Sequence, residues 1–206
     1  MTLLLFDFDG TIADTYPIFL EVLRENYQEL GLDRSVIDCN FKELTAFQIL
    51  NKLGISYRKI PKFIRLARER IHLKMDNAKP IDGICDALID LRKMNLYMAM
   101  ITTNSYESVI PFLKRNKIDF FDDVKIENRL FGKHRIIKKY IKNRNVYSPA
   151  TTFYIGDEAR DIIASKKAKV SSIAVTWGFN SKALLLKEKP DFVIDKPSQL
   201  LNFPKK

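Results

Sequence analysis

Six short apolar runs recur along this chain, and segments with helical periodicity separate most of them. A run that is apolar at nearly every position, rather than at alternate positions, is typical of a strand buried on both faces of a sheet. Strands that alternate with helices indicate an α/β fold with a parallel sheet covered by helices on both faces. The predicted strands are residues 2–6, 96–102, 124–126, 152–155, 172–175 and 192–194, and the predicted helices between them are residues 84–94, 106–116, 135–143 and 162–167.

One interval breaks this alternation. Residues 17–79 contain no predicted strand and show three helical segments, at residues 18–30, 41–53 and 60–75. Pro17 stands at the start of the interval, and Asn77 and Pro80 stand at its end, as is typical of boundaries. We therefore predict two domains, an α/β core of residues 1–16 and 80–206 and an inserted all-helical cap of residues 17–79.

Composition limits the class of protein. With 46% hydrophobic and 29% charged residues, the chain is neither disordered nor collagen-like. Its net charge of +10 fits an anionic substrate, a polyanionic partner such as nucleic acid, or a solubilising surface. Cys39 and Cys85 lack the spacing of a metal or redox motif, and we expect two buried thiols in a reducing compartment.

We expect a cytoplasmic protein without a membrane partner. The N-terminal segment becomes acidic at Asp7, before the apolar stretch of a signal peptide would be complete. No apolar run approaches the roughly 20 residues that a membrane-spanning helix needs.

The most informative motif follows the first predicted strand. Asp7 and Asp9 are separated by one residue and lead into Gly10 and Thr11. Ligands of open α/β sheets bind beyond the carboxyl ends of strands, and two close carboxylates repel each other unless a cation or a proton lies between them. A simple turn would use Asp and Gly for their backbone preferences, but it would not need a carboxylate at the end of a buried strand.

A second acidic motif follows the predicted strand 152–155, where Asp157 comes directly after Gly156 and Asp161 lies four residues later. Carboxylates at two neighbouring strand ends would form an oxygen-rich pocket suited to a hard cation such as Mg²⁺. The alternative for Asp161 is a capping role at the start of the following helix.

Two further motifs are weaker. Thr103 and Asn104 end the predicted strand 96–102 and begin a helix, where backbone N–H groups bind anions; an ordinary helix cap explains them equally well. Lys133 lies in a predicted loop before a helix that begins near Arg135, so its side chain can turn toward the sheet. We expect Lys138, Lys139 and Lys142 to face solvent instead.

The order of these motifs resembles the haloacid dehalogenase-like superfamily of phosphatases. The motifs occur in the superfamily's order: Asp-x-Asp-Gly-Thr, then strand-Thr-Asn, then Lys, then Gly-Asp-x-x-x-Asp. The resemblance covers nearly the whole chain. Residues 80–83 and 175–179 are similar to loops of that superfamily. The resemblance implies a Rossmann-like parallel sheet sandwiched by helices, with the small helical cap of the phosphoglycolate phosphatase and β-phosphoglucomutase branch.

The resemblance also implies a mechanism. Asp7 would be the nucleophile that forms an aspartyl-phosphate, and Asp9 would be the general acid and then the general base. Mg²⁺ would be held by Asp7, the backbone carbonyl of Asp9, and Asp157, with Asp161 supporting it directly or through water. Thr103, the backbone N–H of Asn104, and Lys133 would bind the phosphate of a small phosphorylated metabolite.

Several alternatives stay open. A phosphosugar mutase would use the same nucleophile, and a non-catalytic phospho-acceptor would keep a stable phosphate on it. Nucleic-acid binding is not expected, because no basic motif interleaves with aromatic residues. The basic residues of the third cap helix should form a solvated face, with contact to a substrate anion as the alternative: Arg65, Arg68, Arg70 and Lys74. The chain could be a monomer or a homodimer.

Overall fold

A single parallel sheet organises the part of the chain that the computed structural model describes, residues 2–37, 39–127, 132–144 and 147–203. The strands are β1 (Leu3–Phe6), β2 (Ala13–Asp14), β3 (Lys79–Pro80), β4 (Tyr97–Thr102), β5 (Asp123–Ile126), β6 (Thr152–Gly156), β7 (Ser171–Val175) and β8 (Phe192–Ile194). The α-helices are α1 (Tyr16–Asn26), α2 (Ala46–Lys52), α3 (Ile60–His72), α4 (Ile84–Lys93), α5 (Tyr106–Arg115), α6 (Lys133–Lys142), α7 (Ala159–Ala168) and α8 (Lys182–Lys187). Six of the strands form the sheet in the order β5-β4-β1-β6-β7-β8, and all of its pairings are parallel.

Strand β1 lies at the centre of the sheet, and the chain order reverses there. After β1 the chain places β4 and β5 on one side and β6, β7 and β8 on the other. Such a reversal leaves a crevice at the carboxyl ends of the strands, where ligands of open α/β sheets bind. The residues that follow β1, β4 and β6 therefore meet at one edge of the sheet.

Both faces of the sheet are buried, which explains the continuous apolar runs. Leu4 and Phe6 belong to an apolar cluster on one face, together with Leu88 of α4 and Phe112 of α5. Leu3 and Leu5 point the other way, into the second cluster, which contains residues of α6 and α7. The side chains of β1 alternate between two cores. The prediction of an α/β sheet sandwiched between helices is confirmed.

The helical segment leaves and re-enters the sheet region at adjacent points. Strand β2 pairs antiparallel with β3, which places Ala13 opposite Pro80 and Asp14 opposite Lys79. Helices α1, α2 and α3 lie between these two strands in the chain. Apolar side chains of these helices, such as Leu50 and Phe63, belong to the same cluster as Phe6. The division into a core and a cap domain stays a prediction.

The predicted elements differ from the observed ones mainly at their ends. The predicted helix 41–53 is divided, because Thr45 caps a new helix: its hydroxyl accepts from the Gln48 N–H at 3.3 Å, and the Gln48 side chain accepts from the Thr45 N–H at 2.9 Å. Helix α8 and the β2–β3 pair were not expected from the sequence. Among the described residues, the helices are too short or too polar to cross a bilayer.

Candidate active site

Three buried carboxylates meet at the carboxyl edge of the sheet. Asp7 directly follows β1, Asp157 directly follows β6, and Asp161 lies in the first turn of α7. Their exposed fractions are 3%, 0% and 1%. One carboxylate oxygen of each residue lies within 4.8 Å of those of the other two. The structure thus brings together three of the four residues that the sequence predicts as metal ligands.

Lys133 lies within hydrogen-bonding distance of two of these carboxylates. Its Nζ donates to Asp7 Oδ2 and to Asp161 Oδ1, each at 2.6 Å, and its side chain is 6% exposed. Burial alone would lower the pKa of Lys133, but the charges of Asp161 and Asp7 raise that pKa well above its usual value. The ammonium therefore stays charged and partly neutralises the carboxylate cluster.

The prediction that Lys133 lies in a loop is wrong. Lys133 is the first residue of α6, which begins two residues before Arg135. The reason is Gly132, whose φ of +100° allows a left-handed turn directly before the helix. The Arg135 N–H then donates to the Gly132 carbonyl at 2.8 Å. Residues 128–131, which precede this turn, lie outside the described residues.

Asp161 also has the capping role that the sequence offered as its alternative. Its Oδ2 accepts from the backbone N–H of Glu158 at 3.1 Å, at the start of α7. Its other oxygen accepts from Lys133. One carboxylate therefore fixes the first turn of α7 and positions the lysine, so the two interpretations are compatible.

Asp157 is held by groups from two loops. Its Oδ1 accepts from the Thr11 hydroxyl at 2.8 Å, and its Oδ2 accepts from the Phe179 N–H at 2.7 Å. Glycines 10 and 178 pack against it so closely that a Cβ atom on either would overlap the Asp157 carboxylate. The side chain is thus fixed in position by donors and by steric contact.

The electrostatics of the cluster suit a cation. Burial raises the pKa of Asp7 to about 7, Lys133 opposes this rise, and Asp161 adds to it. Burial also raises the pKa of Asp157 well above its usual value, and the charges of Glu158, Asp161 and Asp7 add to the rise. Buried carboxylates that repel one another become stable as anions when a hard cation binds between them. The donor set, which is all oxygen, fits Mg²⁺.

The Asp9 carboxylate does not belong to this three-carboxylate cluster. Its carboxylate accepts from the side-chain amide of Asn104, at 3.0 Å for Oδ1 and 3.3 Å for Oδ2. Burial raises the pKa of Asp9, and the hydrogen bond from Asn104 opposes that rise. A role of Asp9 in metal binding would therefore depend on its backbone carbonyl, as the resemblance implies, and stays a prediction.

Asn104 forms hydrogen bonds other than the phosphate contact that the resemblance implies for its backbone N–H. Its backbone N–H donates to the Thr102 hydroxyl at 3.0 Å, because the chain turns sharply where β4 ends. Its side chain contacts Asp9. Thr103 faces the same cavity as these two residues. The site that the sequence predicts for phosphate therefore lies beside Asp9, but the Asn104 N–H has an acceptor within the protein.

A cavity of about 180 Å³ opens between the sheet edge and the inserted helices. Asp9, Thr103 and Asn104 line it on the side of the sheet. The opposite wall comes from α2 and α3 and is apolar except for Arg68. Its apolar residues are Ala46, Ile49, Leu50, Phe63, Ile64, Ala67 and Ile71. This volume lies below the roughly 300–1,000 Å³ of pockets for drug-sized ligands, which suits a small ligand.

Several residues that shape the site received no role from the sequence, although the resemblance to the superfamily includes their loop, residues 175–179. Gly178 and Phe179 contact Asp157 from the loop after β7, and the Trp177 indole N–H donates to the Thr11 carbonyl at 3.1 Å. These contacts join residues far apart in the chain, so no local pattern reveals them. Arg160 lies in the acidic motif and lines the cavity, although the motif itself gives that position no role.

Comparison with known proteins agrees with this geometry. The model of the family described as haloacid dehalogenase-like hydrolase matches residues 4–175. A phosphoglycolate phosphatase of Synechococcus elongatus is 26% identical over 205 residues, covering 98% of this chain and 96% of that protein. The pyrophosphatase PpaX of Bacillus mycoides is 26% identical over 206 residues, covering 96% and 94%.

The fold is also similar to that of a solved structure. A haloacid dehalogenase-like hydrolase from Streptococcus pneumoniae has a TM-score of 0.77 and 22% identity, and the match covers 100% of this chain and 99% of that chain. The matched family segment contains all but the first residue of β1, together with β4, β6 and the buried carboxylate cluster. The chain therefore belongs to the haloacid dehalogenase-like hydrolase family.

Proposed function

We propose that this hydrolase is a Mg²⁺-dependent phosphatase that removes phosphate from a small phosphomonoester through an aspartyl-phosphate on Asp7. The observation that carries the proposal is the buried cluster of Asp7, Asp157 and Asp161 with Lys133, directly beside the Asp9–Asn104 pair. The names of the phosphoglycolate phosphatase and the pyrophosphatase relatives support phosphate as the group that is transferred.

Asp7, Asp157 and the backbone carbonyl of Asp9 would hold the Mg²⁺, with Asp161 acting directly or through water. The bound cation would supply positive charge that reduces repulsion between a carboxylate nucleophile and an anionic phosphate. Lys133 contributes a second positive charge at Asp7 Oδ2. It also favours the ionised form of Asp7, which the nucleophile needs.

In the first step an Asp7 carboxylate oxygen attacks phosphorus, and the bond between phosphorus and the leaving oxygen breaks. Asp9 gives its proton to that oxygen, so an alcohol leaves. The raised pKa of Asp9 favours the protonated form that this step needs. In the second step Asp9 takes a proton from water, whose oxygen attacks phosphorus and releases Asp7 and inorganic phosphate.

Thr103 and Lys133 would bind the phosphoryl oxygens, and the side chain of Asn104 would position Asp9. The backbone N–H of Asn104 can donate to a phosphoryl oxygen only if its hydrogen bond to the Thr102 hydroxyl breaks. The helical segment of residues 17–79 would act as the cap that covers the substrate. We expect the protein to work in the cytoplasm as a monomer or a homodimer.

A mutase or a phospho-acceptor remains the alternative. The residues of α2 and α3 that line the cavity are apolar except for Arg68. They therefore offer few partners to the hydroxyls of a bound sugar, and this favours hydrolysis over return of the phosphate. A slowly hydrolysed phosphate on Asp7 would instead indicate a phospho-acceptor.

The proposal is tested with a screen of phosphorylated metabolites in Mg²⁺ and in EDTA. Asp7→Asn serves as the blank, and Asp76→Asn serves as the matched control, because the Asp76 side chain is 97% exposed. We expect phosphate release only in Mg²⁺ and only from the wild type and Asp76→Asn. Hydrolysis by Asp7→Asn at the wild-type rate would overturn the proposal.

A further inference from the structure

The whole net charge of the chain comes from one segment, residues 128–187. The segment contains 13 lysines and arginines and only three acidic residues, and the rest of the chain contains 22 residues of each sign, so that the segment accounts for the total of +10. The three acidic residues, Asp157, Glu158 and Asp161, are at most 9% exposed. The surface that this segment contributes is therefore basic.

Five exposed basic side chains of this segment lie on α6 and α7, two helices that share an apolar cluster on one face of the sheet. We call them the basic face: Arg135, Lys138, Lys139 and Lys142 of α6, and Lys167 of α7. The three lysines of α6 are exposed, as predicted. They follow Arg135 by three, four and seven residues, a spacing that places all four side chains along one side of the helix, over roughly 10 Å.

The positive charges of the basic face are not balanced by acidic partners. Elsewhere in the segment such pairs occur, for example between Arg144 and Asp123, but within the described part of the chain none includes a member of the basic face. Burial lowers the pKa of His134, at the start of α6, and the charges of three members of the basic face lower it further, that of Lys167 most. Like charges held together in this way repel one another, and a bound polyanion removes that repulsion.

A cavity of about 540 Å³ lies beside the basic face, where α2 of the inserted segment approaches α6 and α7. Arg135 and Lys167 line it, together with Phe47 of α2 and Ile163 of α7. No acidic side chain is among the described residues that line it. The volume falls within the roughly 300–1,000 Å³ of ligand pockets, and the mixture of apolar and cationic groups suits a ligand with a flat apolar part and an anionic part.

Two aromatic rings lie at the α2 side of this cavity. Phe47 is 37% exposed, and its ring centroid lies 5.7 Å from that of Tyr57, which is 71% exposed. Exposed rings beside a basic surface are the combination that binds single strands of nucleic acid, because bases stack on the rings while cations contact the phosphates. The rings and the basic face are about 80 or more residues apart in the chain, so no local motif combines them.

We propose that the basic face and the Phe47–Tyr57 pair bind single-stranded nucleic acid, with phosphates on the basic side chains and bases against the rings. An anionic membrane fits this surface less well, because the apolar side of α6 is buried in the core, through Ile137 and Ile141, and cannot insert into lipid. The inference does not depend on the proposed phosphatase function, since none of these residues belongs to the carboxylate cluster.

The test is fluorescence anisotropy with labelled oligodeoxythymidine and oligouridine of about 12 nucleotides, a length within the range of known single-strand sites. An abasic strand of the same length is the matched probe, because it keeps the phosphates and lacks the bases. EDTA is present throughout and the salt concentration is varied. The variants are Lys138→Gln/Lys142→Gln and Phe47→Leu. The control is Lys93→Gln/Lys114→Gln, which removes the same charge from exposed positions on α4 and α5, at the other face of the sheet.

We expect the wild type to bind at least one of the two strands more tightly than the abasic strand, with an affinity that falls as salt rises. Loss of two phosphate contacts in Lys138→Gln/Lys142→Gln should lower the slope of log affinity against log salt by about 1.4, which corresponds to about 25-fold at 0.1 M salt. Phe47→Leu should lower the affinity by about 5- to 100-fold and keep the slope, since it removes stacking alone. The control should bind like the wild type.

Thermal unfolding checks that each variant is folded, and Tyr57→Ala, at the more exposed ring, replaces Phe47→Leu if the latter is not. Three results would overturn the inference: no binding of either strand at low salt, equal binding of the abasic strand, or an affinity that Lys138→Gln/Lys142→Gln leaves unchanged. Binding to phosphatidylserine vesicles without binding to the strands would also overturn it and would indicate a membrane partner. Each of these results leaves the phosphatase function intact, because the assay requires neither Mg²⁺ nor Asp7.

Discussion

Replacement of Lys133 by Met should strongly destabilise the metal-free protein. The Lys133 ammonium lies 2.6 Å from both Asp7 and Asp161, and its side chain is only 6% exposed. The Met side chain fills a similar volume but leaves these buried carboxylates without their cation. Removal of one partner from a buried ion pair lowers the free energy of unfolding by about 3–5 kcal/mol. For a chain of this length each kcal/mol lowers the melting temperature by roughly 2–4 °C, so we expect a decrease of roughly 6–20 °C.

The assay is urea and thermal unfolding in EDTA at pH 8, with Lys138→Met as the control, because Lys138 is exposed on the same helix. The decrease in the free energy of unfolding should be smaller at pH 5, where the carboxylates can take up protons. It should also be smaller in Mg²⁺, because the cation replaces the missing positive charge. Lys133→Met should also lose most of its phosphatase activity. A free energy of unfolding within about 1 kcal/mol of the wild type at pH 8 would refute the view that this lysine stabilises the cluster.

Two further predictions concern the same cluster. Gly178→Ala should weaken Mg²⁺ binding measured by calorimetry, because the new Cβ would overlap the Asp157 carboxylate; Gly31→Ala, at φ +69° with open space around it, should leave that affinity unchanged. The metal-free protein should lose about 4 kcal/mol of stability between about pH 4 and pH 7, since the pKa of Asp7 rises from 3.8 when unfolded to about 7 when folded. The folded state therefore binds the extra proton, and stability falls as that proton is lost. Urea unfolding in EDTA should show this slope, and a flat profile, or a slope that Asp7→Asn retains in full, would contradict it.

Much of the fold could be predicted because both faces of the sheet are buried. The continuous apolar runs of the sequence predicted β1, β4, β6 and β7. In the structure, the reversal of chain order at β1 brings Asp7 and Asp157 to one edge of the sheet. The ends of helices were harder. The start of α6 depends on Gly132 at φ +100°, a backbone conformation that the surrounding sequence did not reveal.

Contacts between distant loops were not predictable from local patterns. The close approach of Gly178 to Asp157 depends on how the loop after β7 packs against the end of β6. For Arg68, by contrast, the local sequence pattern does indicate where the side chain lies. It lies four residues after Ile64 and three before Ile71, which places it on the same face of α3 as these two apolar residues. That spacing indicates that Arg68 faces the cavity.

The most direct test of the proposed mechanism is detection of the phosphorylated residue. Asp9→Asn removes the base that activates water, so the phosphorylated form should accumulate. An aryl phosphate provides a leaving group that needs no proton from Asp9, which allows the first step to proceed. After rapid acid quenching in the presence of Mg²⁺, peptide mass spectrometry should find one phosphoryl group on Asp7, absent from the double variant with Asp7→Asn. A phosphoryl group on another residue, or equal turnover with Asp7 replaced, would contradict the role of Asp7 as the nucleophile.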